Sequence, residues 1–214
     1  MHPSRSIAGR SLRLILGLFL FALGVVITLR AELGVSPWDV LHDGMQLQTP
    51  LSFGQAVIVI GAVLLICSFL VGIKPGPGTV ANMILIGVFE DLMLATAVGG
   101  NLVEEALVLR LPLVVLGVLT IGLGSALYIG AEMGAGPRDS LMLAFTKRFG
   151  ISTRVARTAV EGSALLGGVL LGGQLGLGTL IFVLTIGPAV QLFFHLFGMD
   201  ETGRRAGPPD VEGF

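Results

Sequence analysis

Six stretches of roughly twenty apolar residues, each long enough to cross hydrocarbon as a helix, dominate the chain. They run from Leu12 to Leu29, Ser52 to Gly72, Gly78 to Val98, Leu111 to Ala131, Arg154 to Leu171 and Leu175 to Phe197. No charged residue occurs between Gly162 and Met199. That run is too long for one span, so it must fold at Gly172-Gly173-Gln174-Leu175-Gly176. After the first and fourth stretches the pattern changes. Gly34 and Gly134 allow a sharp turn, and Pro37 and Pro137 suit the first position of a helix. Ser36 is a good cap before the first of these prolines. Each segment predicts a helix of about a dozen residues, too short to span, lying at the interface or dipping in as a re-entrant element. In the first, Asp39, His42, Asp43 and Gln46 are spaced i, i+3, i+4, i+7 and form one polar face. A cavity lining and the wet side of an interfacial helix both fit that spacing.

The chain repeats itself at an offset of 100 residues. Between Leu16 and Leu92, 21 of 77 positions are identical to those 100 residues later, without a gap. Leu and Gly account for many matches, but Ala31-Glu32-Leu33-Gly34-Val35-Ser36-Pro37-Trp38-Asp39 falls on Ala131-Glu132-Met133-Gly134-Ala135-Gly136-Pro137-Arg138-Asp139. Gly76, Gly78 and Thr79 fall on Gly176, Gly178 and Thr179, and Ile86-Gly87 on Ile186-Gly187. Each copy holds three spans. Three is odd, so the second copy enters the bilayer from the opposite face, as in many secondary transporters whose solute site lies between the repeats. The expected fold is all-α membrane: six transmembrane helices as two inverted three-helix repeats, each with a short interfacial or re-entrant helix after its first span. The expected divisions are an N-terminal cytoplasmic segment 1–11, a first repeat 12–98, an extracytoplasmic loop 99–110, a second repeat 111–198 and a disordered cytoplasmic tail 199–214.

Composition agrees with a bilayer as solvent. Hydrophobic residues make up 53% of the chain and charged residues 13%, with a mean hydropathy of +0.91. A soluble domain carries roughly twice that charged fraction. The 32 glycines suit helices packed closely through small residues. Of 13 lysines and arginines, all but Arg30 and Arg110 fall on one side if the N-terminus is cytoplasmic, which puts both termini there. A net charge of −1 gives no footprint for nucleic acid. One cysteine excludes an intramolecular disulfide, and His2, His42 and His195 show no metal-ligand spacing. Neither a nucleophile elbow nor a zinc-protease motif is present, so no catalytic residue, cofactor or metal is expected, nor an enzyme.

Charges inside spans are the sharper signal, since each costs about 2.5–3.5 kcal/mol at the bilayer centre and therefore faces protein or water. Glu161 lies in the fifth span with Arg157 four residues earlier, a spacing that favours a pair. Glu90 and Asp91 lie in the third span, where their repeat mates are Val190 and Gln191, so the fold does not demand these carboxylates in both halves. Asp39 and Asp139 recur in the motif with Glu32 and Glu132. Arg138 accompanies Asp139. The candidate solute-binding or ion-coupling residues are therefore Glu32, Asp39, Glu90, Asp91, Glu132, Arg138, Asp139, Arg157 and Glu161. Capping, a structural ion pair and ordinary positive-inside bias stand as the plainer roles for them.

Gly34-Val35-Ser36-Pro37-Trp38-Asp39-Val40-Leu41, Gly134-Ala135-Gly136-Pro137-Arg138-Asp139, Arg154, Arg157 and Glu161, and Gly176-Leu177-Gly178-Thr179 with Ile186-Gly187-Pro188 resemble the bacterial YczE/YitT-type membrane proteins. The resemblance covers nearly the whole chain except the tail. It implies a multi-pass protein of the bacterial cytoplasmic membrane, in a group sometimes placed with exporters, and supplies no catalytic residues. Two functions follow as expectations. One is a secondary transporter or exporter of a small solute held between the repeats. The other is a non-transporting accessory or scaffold protein that binds other proteins. The expected partners are the lipid bilayer and a small solute of unknown identity, with a homodimer compatible with so small a protein.

Overall fold

The computed structural model describes residues 6–96, 106–134 and 136–200. Eight helices lie among them: α1 (Ile7–Ala31), α2 (Pro37–Gln48), α3 (Phe53–Leu70), α4 (Pro77–Leu94), α5 (Leu107–Ile129), α6 (Pro137–Phe149), α7 (Thr153–Leu170) and α8 (Leu177–Leu196). Five of them, α1, α3, α4, α5 and α8, are long and apolar enough to cross a membrane. The sequence pattern counts six spans. The difference is α7, which has the length but carries Arg154, Arg157 and Glu161 among its 18 residues. Helices α1 and α5 begin at Ile7 and Leu107, about five residues before the apolar stretches, so Arg10 and Arg110 belong to first turns and not to flanking segments. The tail from 201 onward and most of the 99–110 loop lie outside the described residues.

The centre of the protein is the antiparallel pair α1–α5. A Cβ added to Gly24 would lie 2.6 Å from the Gly117 carbonyl oxygen, and one added to Gly124 would lie 2.7 Å from that of Gly17. The backbones therefore touch at two levels. Lipid tails are as apolar as leucine, so such close contact, not burial from water, drives helices together in a membrane. Leu14, Leu18, Ala22, Val25 and Ile121 fill the buried ground around the crossing. Outward-facing Leu70, Leu170, Ile66 and Leu184 remain exposed, as a lipid-facing surface requires.

Two arginines fasten the pair. The Arg10 guanidinium donates to the carbonyls of Ala131 (2.8 Å) and Glu132, at the end of α5. The Arg110 guanidinium donates to Ala31 (2.7 Å) and Glu32 (2.8 Å), at the end of α1. A cation here meets carbonyls that the helix leaves without partners. Glu32 and Glu132 both adopt the left-handed conformation, with φ of 48° and 53°, and turn the chain inward. The turned loops then receive the starts of other helices. The amide of Gly78 donates to Met133 (2.9 Å), and that of Gly178 donates to Leu33 (2.6 Å).

The short helices are not laid on the surface. Helix α2 packs along α7, and α6 packs against α3. The first contact is again made through glycine: a Cβ on Gly168 would fall 2.5 Å from the Leu41 amide nitrogen. Of the polar face, Asp39 and His42 are buried. Asp43 accepts from the Gln174 amide (2.8 Å) and holds the α7–α8 turn. Gln46 lies in a separate depression with Ser52 and Asp91.

Replacing Gly24 with Leu should cost about 3 kcal/mol of stability, the range for overpacking a close contact. Gly162→Ala, where an added Cβ meets nothing within 4 Å, should change stability by less than about 1 kcal/mol. Thermal unfolding of both variants in one detergent makes the comparison. Equal melting temperatures would mean that the α1–α5 crossing is not the tight contact described.

Candidate functional site

A cavity of about 1060 Å³ lies between the two halves, walled by residues of both. The starts of α2 and α6 face each other across it. Proline at the first turn of each fixes the entry of the chain, and Ser36 caps α2 by accepting from the Asp39 amide (3.2 Å). Trp38 and Arg138, which are repeat mates, meet there: the guanidinium carbon lies over the indole ring, 4.9 Å from its centre. This is the range in which a cation is drawn to an aromatic face. Arg138 also stands 3.9 Å from Asp39 Oδ1.

Asp39 and Asp139 occupy matching positions and live in different surroundings. Asp39 is buried behind Arg138, accepts from the Ser36 hydroxyl and lies 3.3 Å from His42 Nδ1. Burial works to raise its carboxyl, but His42, Arg138 and Ser36 outweigh that and hold it below the usual carboxylate range. Asp139 lines the cavity with neither a hydrogen bond nor an ion pair to the described residues. Burial pushes its carboxyl up, against the opposing pull of Arg157 and Arg138. Its Oδ2 and the Asn82 amide both come within 4 Å of where a Cβ on Gly136 would sit.

Arg157 and Glu161 form the expected i, i+4 pair at 3.0 Å on the cavity wall. Both are partly solvated, so the pair itself stabilises little. Much of the rest of the wall is aromatic and aliphatic, including Phe21, Ile121, Phe182 and Ile186.

The structure brings Asp39, Arg138, Asp139, Arg157, Glu161 and Glu132 to one place. The remaining candidates have other positions. Glu32 is exposed beyond α1 and offers its carbonyl to Arg110. Asp91 caps α3, accepting from the Gly54 amide (2.8 Å) and the Ser52 hydroxyl. Glu90 is buried in α4, and its Oε2 has no hydrogen-bond partner among the described residues. Trp38, Tyr128 and Ser125 line the cavity and escaped the sequence reading. The usable signal was that Trp38 and Tyr128 are the chain's only tryptophan and tyrosine, lying within or just before the repeated motif.

Residues 8–195 match the model of a family of unknown function, DUF6198. An uncharacterized protein of Haemophilus influenzae is 35% identical over 186 residues, 85% of this chain and 84% of the relative. The uncharacterized membrane protein YczE of Bacillus subtilis is 32% identical over 209 residues, 90% of this chain and 93% of YczE. The uncharacterized Bacillus subtilis protein YyaS is 28% identical over 182 residues, 85% and 90% of the two chains. No solved structure matches. The YczE match bears out the resemblance carried by the motifs.

The contrast between the twin aspartates is measurable. Asp39→Ala strips partners from Ser36, His42 and Arg138 and should cost about 2–3 kcal/mol. Asp139→Ala should stay within about 1 kcal/mol, because no protein partner is lost. Melting temperatures of the purified variants test this, and equal losses would contradict the geometry.

Proposed function

This chain belongs to the DUF6198 family of multi-pass membrane proteins, and we propose that it is a secondary transporter that binds a small solute in the cavity between two inverted repeats. On this reading α7 is the sixth spanning helix, with Arg157 and Glu161 facing the cavity and not lipid. The basic residues put the N-terminus in the cytoplasm of a bacterium, by the positive-inside rule.

One observation carries the reading: the two halves share a scaffold but differ in closure. Helix α3 packs along α4, and a Cβ on Gly54 would fall 1.9 Å from the Gly87 carbonyl oxygen. Asp91 bonds across that seam to Ser52 and Gly54. In the second half α7 and α8 stand apart, and a Cβ on Gly187 would meet nothing within 4 Å. The closed seam is at the end of the bundle where α1 finishes, since Arg30 there donates to Leu94 (2.9 Å). The gap is at the end where α1 begins, beside Arg157, Gln191 and Phe194. A cavity open to one face and shut to the other is one state of an alternating-access cycle. An inverted repeat supplies the second state when the halves exchange shapes.

Alternating access can be tested before a substrate is known. Ile186→Cys, in a Cys67→Ser background, places one thiol in the cavity wall. A membrane-impermeant thiol reagent should reach it from both faces of sealed vesicles. Ser52 Oγ lies 2.5 Å from Asp91 Oδ2, so Ser52→Cys/Asp91→Cys brings two thiols together across the closed seam, where a disulfide or a short, reducible bifunctional thiol reagent can join them. That lock should cut labelling from the far face at least tenfold and leave the near face unchanged, with recovery after reduction. Labelling from the near face alone, with or without the lock, would overturn the transport reading and favour an accessory protein.

A further inference from the structure

We infer that the cavity is built for a zwitterionic solute with an apolar body, its acidic group on Arg138 and its ammonium on Asp139. This deepens the transport reading and rests on it.

Arg138 and Asp139 are consecutive residues of opposite charge in the first turn of α6, and both line the cavity. Asp139 is not spent on protein, and Arg138 only in part. Asp139 has no hydrogen bond or ion pair with the described residues, and Arg138 has only the 3.9 Å approach to Asp39 and the contact with the Trp38 ring. Arg138 makes no side-chain hydrogen bond to the described residues, so its in-plane N–H donors are available to a carboxylate or similar acid. The Arg157 guanidinium, by contrast, is already bonded to Glu161. An organic anion would satisfy Arg138 and leave Asp139 unpaired in a partly dry wall. An organic cation would do the reverse. A solute with both charges satisfies both at once, and Asn82 beside Asp139 adds an amide for the same polar end. Beyond this polar floor, Phe21, Ile121, Phe182 and Ile186 offer an apolar chamber with room for a ring or branched chain.

The chain's single tryptophan, Trp38, lies in this site, so intrinsic fluorescence reads binding without a label. Three probes share one apolar body: L-phenylalanine carries both charges, 3-phenylpropionate only the acid and phenethylamine only the amine. Purified protein in nanodiscs should give a saturable change with phenylalanine, at least tenfold tighter than with either singly charged probe. Arg138→Gln should abolish the advantage over phenethylamine, Arg138→Lys should restore part of it, and Asp139→Asn should abolish the advantage over 3-phenylpropionate. Equal or tighter binding of a singly charged probe overturns the assignment, as does no binding of any of the three to wild-type protein; that comparison needs no variant to fold. The two readings fail separately. Phenylalanine bound while the thiol at 186 is reachable from one face only refutes transport and keeps the zwitterion site. Two-faced access with a singly charged probe preferred does the opposite.

Discussion

The contact between α1 and α5 is what the rest of the protein depends on. Four glycines, Gly17, Gly24, Gly117 and Gly124, let two backbones meet with no side chain between them. Because the pair is antiparallel, the end of each helix lies beside the start of the other, within reach of Arg10 or Arg110. The loops leaving those ends turn back through Glu32 and Glu132 and accept the opening amides of α8 and α4. Each short helix is thereby aimed at the middle of the bundle. Wider spacing of α1 and α5 would carry the starts of α2 and α6 apart, and Trp38 would no longer meet Arg138.

Charge sets the second constraint. A carboxylate or guanidinium in the depth of a membrane needs a partner or water. This protein meets that need in several ways. Asp43 and Asp91 are turned to backbone amides and fix helix ends. Arg157 and Glu161 pair with each other beside the cavity opening. Asp39 gathers Ser36, His42 and Arg138 around itself. Among the described residues, Glu90 in α4 keeps a buried carboxylate oxygen without a hydrogen bond, while Asp139 and Arg138, which make no side-chain hydrogen bond, lie together on the cavity wall. The two copies of the motif are therefore put to different use: the first aspartate is held by protein side chains, and its twin faces the cavity with no hydrogen bond or ion pair among the described residues.

Much of this was legible in the sequence, and the parts that were not share a cause. The spans, the glycine hinge before α8 and both short helices follow from apolar length, proline and turn residues, all local properties. The 100-residue offset also aligns Gly17 with Gly117 and Gly24 with Gly124, but a chain so rich in glycine yields such matches by chance. The offset did not show that these glycines meet crosswise, Gly17 with Gly124, because that depends on the direction of packing. Whether α2 lay in water or in protein was equally open, since its polar face fits both; Gly168 and Gly173 on the other half decide it by admitting the α2 backbone. Asp91 read as a site candidate because its mate is Gln191, yet its difference serves the α3–α4 seam. Asp39 and Asp139 could not be told apart from their shared motif. Their roles come from Trp38 against Arg138 and His42 against Met142, read across the gap between the halves.

The departures from symmetry are as informative as the repeat. If the halves exchange shapes, α7 and α8 must close where α3 and α4 now stand closed. They cannot do so by the same contact. Arg154 occupies the position of Gly54, so the backbone approach that lets Gly54 reach Gly87 is barred at Gly187 by a long side chain. Gln191 replaces the acid that caps α3 from Asp91, and an amide is a weaker acceptor for a hydroxyl and a backbone N–H than a carboxylate is. Closure at the end where α1 begins would then rest on polar side chains and on what fills the cavity, while closure at the other end rests on packed backbone. A solute that satisfies Arg138 and Asp139 would remove the unpaired charge that holds water in the gap. The empty protein would accordingly favour the open α7–α8 arrangement, and binding would supply the differential free energy that any ligand-driven change of state requires.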